Sequence, residues 1–271
     1  MSLGQYAAAG AELDNLRAAL NWAAASPAAT DLVVPLLSRS RRVWMGNCQY
    51  AEGLGWCTRL RERVDDKVPM QEAAMYWLTF ASLGLYTRQR ECYEAALNAA
   101  ELFARLGDDD RRYEALVTAA IQGSRFASNE EMGTLIAEAT RLDRPDGPPR
   151  RRTSLMFARY RWNARLGNHE EALACALGQA AISRNAGFPL GELYAMSNVT
   201  MSELQLGRTE AALAYAQSAI DALDALGAGA GTKSGCSTRS TPSPAFRAAL
   251  SPHLPTPFTA SGCSRCSSRA S

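Results

Sequence analysis

The chain has 271 residues, of which 47% are hydrophobic and 21% charged, so it holds enough apolar material for one buried core or a row of small packed units. Its 29 basic and 27 acidic side chains give a formal charge of +2, which excludes a strongly basic nucleic-acid-binding protein and an acidic disordered chain. No apolar run is long enough to span a bilayer, and the N-terminus does not resemble a signal peptide.

The cysteine content indicates the compartment. The chain has seven cysteines, an odd number, and four of them are scattered through Ala/Leu-rich segments. This pattern argues against a secreted disulfide framework and favours a soluble protein of the reducing cytoplasm.

Apolar residues recur at helical spacing along most of the chain, while the alternation typical of strands is nearly absent. The predicted elements, in chain order, are helices over 9–25, 30–46 and 50–64 and helical hairpins over 71–106, 110–142, 153–186 and 190–226.

The last two hairpins are copies of one another at an offset of 40 residues, since LGNHEEALACALGQAAISRNAG (166–187) aligns with LGRTEAALAYAQSAIDALDALG (206–227). Gly167 and Gly207 fall at equivalent turns, where we expect a positive φ. ECYEAALNAAELFARLG (91–107) is an earlier copy, and residues 128–142 form a degenerate one. The small residues Ala96, Ala172 and Ala212 occupy equivalent positions and suit closely packed helices.

These repeats predict an all-α fold, a right-handed α-solenoid of antiparallel helical hairpins (tetratricopeptide-like) with a disordered C-terminal tail. An irregular helical bundle is the alternative. The predicted domains are N-terminal helices over 1–66, repeats over 67–227 and a tail over 228–271. We expect Leu173 and Leu213 in the core and, because the last hairpin lacks a polar capping helix, an exposed apolar end that favours self-association.

The segment AELDNLRAALNWA (11–23) places Leu13, Leu16 and Leu20 on one helix face and Arg17 off it, and Trp22 is expected to pack against the following helix. This segment resembles the start of the helical-repeat region of bacterial STAND-class ATPases, which are winged-helix/NB-ARC transcriptional regulators and their relatives. The resemblance rests on Glu12, Asp14, Asn15, Leu16, Arg17, Ala19, Leu20 and Trp22, and on Trp44, Gly46, Glu52, Gly53 and Trp56 further along.

The resemblance implies a regulatory sensor arm without the ATPase and DNA-binding domains, which would precede it. No G-x-x-x-x-G-K-[ST] motif is present, and GAGAGTKSG (227–235) departs from it at Thr232.

The tail, 228–271, has ten Ser, five Pro and no acidic residue. This composition predicts disorder and resembles a frameshifted translation, with a natural basic linker as the alternative. Cys236, His253, Cys263 and Cys266 fit no zinc module, and their grouping is ascribed to chance.

No catalytic set is apparent, because the chain has two histidines and no Ser/His/Asp or Cys/His arrangement. We therefore expect no enzyme activity, cofactor or metal. Arg150, Arg151 and Arg152 are predicted to form a solvated loop after the prolines, rather than a nucleic-acid contact.

The favoured function is a protein-interaction or regulatory module, and a small-molecule inducer receptor using the concave groove is the alternative. In such arrays the first helix of each hairpin lines the concave face. The candidate binding residues are Phe157, Arg161 and Arg165 on one first helix and Ser197, Met201 and Gln205 on the next. The arginines suit an acidic protein or peptide partner, while direct nucleic-acid and membrane binding are not expected.

Overall fold

The computed structural model describes residues 12–26, 29–86, 89–144 and 146–231. All regular structure in these ranges is helical, which confirms the predicted all-α class. The disordered tail predicted over 228–271 is wrong at its start, because residues 228–231 are helical, and the rest of it, with Cys236, His253, Cys263 and Cys266, lies outside the described residues.

Helices in the described ranges follow the predicted order closely. They are α1 (Leu13–Ala25), α2 (Thr30–Arg39), α3 (Arg41–Gly46), α4 (Tyr50–Leu60), α5 (Met70–Leu83), α6 (Arg90–Leu106), α7 (Asp109–Gly123), α8 (Asn129–Leu142), α9 (Pro149–Leu166), α10 (His169–Asn185), α11 (Pro189–Gln205) and α12 (Thr209–Gly231). Short 3₁₀ turns cover Arg61–Arg63 and Gly84–Tyr86.

The chain divides into two compact units, Met1–Ala219 and Ile220–Ser271. In the first unit each helix from α5 to α10 packs against the next one along the chain. First helices also contact one another across a repeat, as α7 and α9 do, which gives the predicted tetratricopeptide-like array of helical hairpins. In the second unit, residues 220–231 continue α12.

Glycine ends several helices in the left-handed conformation that side chains rarely adopt. Gly107, Gly167, Gly187 and Gly207 have φ of 68°, 78°, 63° and 76°. These values confirm the positive φ predicted at Gly167 and Gly207. Glycine has no Cβ and therefore adopts this conformation at little steric cost.

The equivalent alanines are buried as predicted, with Ala96 and Ala172 at 0% and Ala212 at 2% exposure. Leu173 is also buried, in an apolar cluster with Phe157, Tyr160 and Val199. Helix α10 therefore buries apolar surface against both α9 and α11.

The structure contradicts the prediction that Leu213 lies in the core. Leu173 is 7% exposed, whereas Leu213, its counterpart at the 40-residue offset, is 65% exposed. A helix buries two sides only when a neighbour covers each of them, and no helix follows α12 in the described part of the chain. The predicted core role of Leu213 is therefore wrong.

The prediction that Trp22 packs against the following helix is also wrong, because this residue is 62% exposed. The buried side of α1 is formed by Leu13, Leu16, Leu20 and Ala23. Trp22 immediately precedes Ala23 and so points about 100° away from this stripe.

The two segments that carry the family resemblance contact each other. Arg17 donates hydrogen bonds from Nε and Nη2 to the carboxylate of Glu52, at 2.8 and 2.5 Å. Beside it, a Cβ added to Gly53 would lie 2.9 Å from Cγ of Trp44, so only glycine fits against this buried indole without a shift. Both segments therefore serve the packing of α1, α3 and α4.

The basic cluster after the prolines is not the solvated loop that the sequence predicts. Arg150, Arg151 and Arg152 lie in the first turn of α9, and the Arg151 side chain is 11% exposed. Its guanidinium stacks 3.7 Å from the ring centroid of Tyr113 and bonds to Asp110 at 2.8 Å. It also donates to the Leu142 carbonyl at 2.6 Å, so Arg151 fastens the start of α9 to the preceding repeat.

Leu173 and Leu213 provide a matched test of the packing. We expect Leu173→Ala to lower the free energy of unfolding by about 2–5 kcal/mol, because it leaves a cavity in a buried cluster. Leu213→Ala should change it by about 0.5 kcal/mol or less, since the side chain is exposed. Urea unfolding of both variants measures the difference, and equal losses would show that the two positions are equally buried.

The Arg17–Glu52 pair makes stability depend on pH. The hydrogen bonds from Arg17 hold the pKa of the Glu52 carboxyl below its usual value. A lowered folded-state pKa contributes stability above the unfolded pKa, and this contribution is lost as the pH falls through the folded pKa. Glu52→Gln should therefore flatten the loss of stability between about pH 5 and pH 3. Urea midpoints across this range test it. The control is Glu62→Gln, because Glu62 is exposed and forms no ion pair with another described residue.

Candidate functional site

Helix α9 supplies three of the predicted binding residues. It begins after Pro148, with Pro149 in its first turn, and ends at Gly167 in the left-handed conformation. Proline suits the first turn because its missing N–H has no intrahelical acceptor there. The four-residue spacing of Phe157, Arg161 and Arg165 places them along one side of this helix.

Phe157 is mainly a packing residue, since it is 8% exposed. Its ring meets that of Tyr194 edge to face, with centroids 5.1 Å apart, and stacks with Tyr160 at 6.2 Å. Aromatic contacts of this geometry join α9 to α11. Tyr194 was not among the predicted site residues, although its position three residues before Ser197, on the same helix, was a signal for it.

Arg161 and Arg165 both reach back to the segment between α7 and α8. Nη2 of Arg161 donates to Oγ of Ser124 at 2.8 Å. Nη1 of Arg165 donates to the carbonyl oxygen of Ala127 at 2.7 Å and lies 3.5 Å from that of Ser124. The two guanidinium groups therefore converge on Ser124, a contact that the sequence did not predict.

The guanidinium of Arg161 also lies 5.9 Å from the centre of the Phe157 ring. This contact brings together the aromatic and the first arginine of the predicted site. Arg165 is exposed, one turn further along α9.

The residues predicted on α11 are less closely engaged. Oγ of Ser197 donates to the Tyr194 carbonyl of its own helix at 2.7 Å, Met201 is half-buried, and Gln205 is exposed. Helix α9 meets α11 through the Phe157–Tyr194 ring contact. We use the name "first-helix face" for the surface formed by Phe157, Arg161, Arg165, Tyr194, Ser197, Met201 and Gln205.

The described residues hold no cluster of metal-ligating side chains and no membrane-spanning helix. They contain no group of three or more His, Cys, Asp or Glu side chains able to hold a metal ion. None of their helices combines the length and apolar character needed to cross a membrane.

No protein-family model matches this sequence, and no curated protein matches it as a relative. Solved structures do match the fold. One is the Rap protein complexed with competence and sporulation factor, with a TM-score of 0.59 and 14% identity over 69% of this chain. The chain spans about half of the length of that protein, covering 54% of it.

A second similar structure is BtubC from P. vanneervenii. It has a TM-score of 0.56 and 16% identity, and the match covers 88% of this chain and 95% of BtubC. At these identities the likeness concerns the fold alone. It places the chain among helical-repeat structures.

Proposed function

We propose that this chain is a non-catalytic protein-interaction module that binds its partner on the first-helix face. The observation that carries the proposal is the side-by-side placement of α9 and α11, which presents guanidinium, hydroxyl, thioether and amide groups of successive repeats on one surface. Helical arrays expose extended surfaces of this kind to polypeptide partners. The complex of the similar Rap protein with competence and sporulation factor supports a binding role.

The module is further proposed to be the sensor arm of a STAND-class transcriptional regulator acting in signal transduction. Support comes from the resemblance over 11–60, together with the pairing of Arg17 with Glu52 and the fit of Gly53 against Trp44. These contacts make the resembling segments one packed unit at the start of the array.

Three further properties belong to this proposal. The partner is acidic where it meets Arg161 and Arg165, because guanidinium groups pair well with carboxylates. The exposed Leu213 on α12 supports self-association through the end of the array. A cytoplasmic location is supported by Cys57, which lies buried as a thiol.

Site-specific photo-crosslinking in the full chain tests the interaction surface. A benzoylphenylalanine at the exposed Gln205 should capture a partner from lysate of the source cells, identified by mass spectrometry. The same probe at Ala174, exposed on the second helix α10, is the matched control and should capture several-fold less.

Equal capture at both positions would contradict binding on the first-helix face. A rise in melting temperature with a small metabolite, combined with no specific crosslink at Gln205, would favour the inducer-receptor function instead, because a ligand of the folded state stabilises it.

A further inference from the structure

The arginines of the first-helix face differ from half of the other arginines that the structure describes. Ten others form ion pairs with aspartate or glutamate. Within the described ranges Arg161 and Arg165 have no carboxylate within ion-pair distance and bond only to a hydroxyl and to carbonyl oxygens. Two positive charges are thus held close to Ser124 without a negative partner.

The contacts fix the direction of both side chains. Oγ of Ser124 donates its own proton to the Ile121 carbonyl at 2.8 Å, so its lone pair is available to accept from Arg161. Arg165 is held by the Ala127 carbonyl at 2.7 Å. Each guanidinium is anchored through one amino group, and its other N–H groups bond to no described residue.

We propose that Arg161 and Arg165 form a carboxylate-binding fork for the polypeptide partner, receiving either an Asp or Glu side chain or a free C-terminal carboxylate. The inference rests on the proposed function and names the group of the partner that this part of the first-helix face recognises. An anchored guanidinium loses less side-chain freedom on binding than a free one, so the fork is preorganised for a bidentate ion pair.

The surroundings favour a carboxylate over a phosphate. The N-terminus of α8, next to the fork, is closed by a capping box in which Ser128 and Glu131 bond to each other's backbone N–H groups. Its backbone therefore offers fewer free donors to a phosphate group.

Fluorescence anisotropy with synthetic peptides tests the fork in the full chain. The probes are hexaglutamate amide, hexaglutamine with a free C-terminal carboxylate, and hexaglutamine amide as the reference whose peptide has no carboxylate. All three carry the same fluorescein label, so its charge is common to them. At low salt we expect at least one acidic probe to bind about tenfold tighter than the reference, a difference of ~1.4 kcal/mol. Which probe is preferred distinguishes a side-chain from a C-terminal carboxylate.

Arginine variants test whether the preference for acidic probes depends on Arg161 and Arg165. Arg161→Ala with Arg165→Ala should abolish it, and Arg161→Lys with Arg165→Lys should retain only part, because lysine keeps the charge but not the fork geometry. Arg105→Ala with Arg150→Ala removes the same charge from exposed positions elsewhere and should leave the preference intact. Thermal melts and hydrogen exchange at 124–127 establish that the variants fold.

Three results would overturn the proposed fork. The preference for acidic probes could be absent in the wild type, be lost in the Arg105/Arg150 control, or be fully retained in the double-alanine variant. The outcome is separable from that of the proposed function. A partner crosslinked at Gln205 that binds the double-alanine variant unchanged refutes the fork and leaves the interaction module standing. Acidic-probe preference without any crosslinked polypeptide leaves the carboxylate site standing and refutes the module.

Discussion

The packing of this array depends on one constraint, that a helix inside it must bury apolar surface on two sides. Helix α10 meets the constraint, because Leu173 and Ala176 lie in a cluster completed by residues of α9 and α11. Polar side chains also connect neighbouring repeats, because they donate hydrogen bonds to backbone carbonyls about one repeat away. Gln122 donates to the Ala81 carbonyl and Tyr113 to that of Arg151, at sequence separations of 41 and 38. These bonds give the side-chain donors of Gln122 and Tyr113 partners in neighbouring repeats.

This constraint explains what could be predicted from the sequence. Turn glycines and buried alanines recur with the period, so one copy identifies the next, and the order of the helices and the positive φ of Gly167 and Gly207 followed from local pattern alone. The bounds were less accurate, because the single helix predicted over 30–46 is divided into Thr30–Arg39 and Arg41–Gly46. Leu213 matches Leu173 in sequence but not in burial, because burial depends on a neighbour that the aligned segment does not contain. The sequence of a repeat predicts its own helices and turns, but not whether a neighbouring helix covers them.

The arginines were the hardest side chains to interpret from sequence, because their partners are distant along the chain. Arg151 stands in a run of three arginines that suggested solvent, yet its aromatic and carboxylate partners, Tyr113 and Asp110, lie about one repeat earlier. The spacing of Arg161 and Arg165 placed them on one face of α9, but their anchoring to Ser124 and Ala127 required the tertiary structure. Amphipathic spacing indicates on which face of a helix a residue lies. Only the contacts in the folded structure distinguish an arginine that is ion-paired from one that is not.

The burial of Phe157 bears on how a partner could be recognised. With 8% of this residue exposed, its ring contributes to the α9–α11 interface and offers a partner little apolar surface. Affinity on the first-helix face would then come mainly from polar and charged groups, with the half-buried Met201 adding a modest apolar contact. Charged contacts at an accessible surface raise association rates and select among partners more than they increase affinity, and salt weakens them. A face of this composition suits reversible, charge-selective recognition better than a permanent complex, which a larger apolar core would favour.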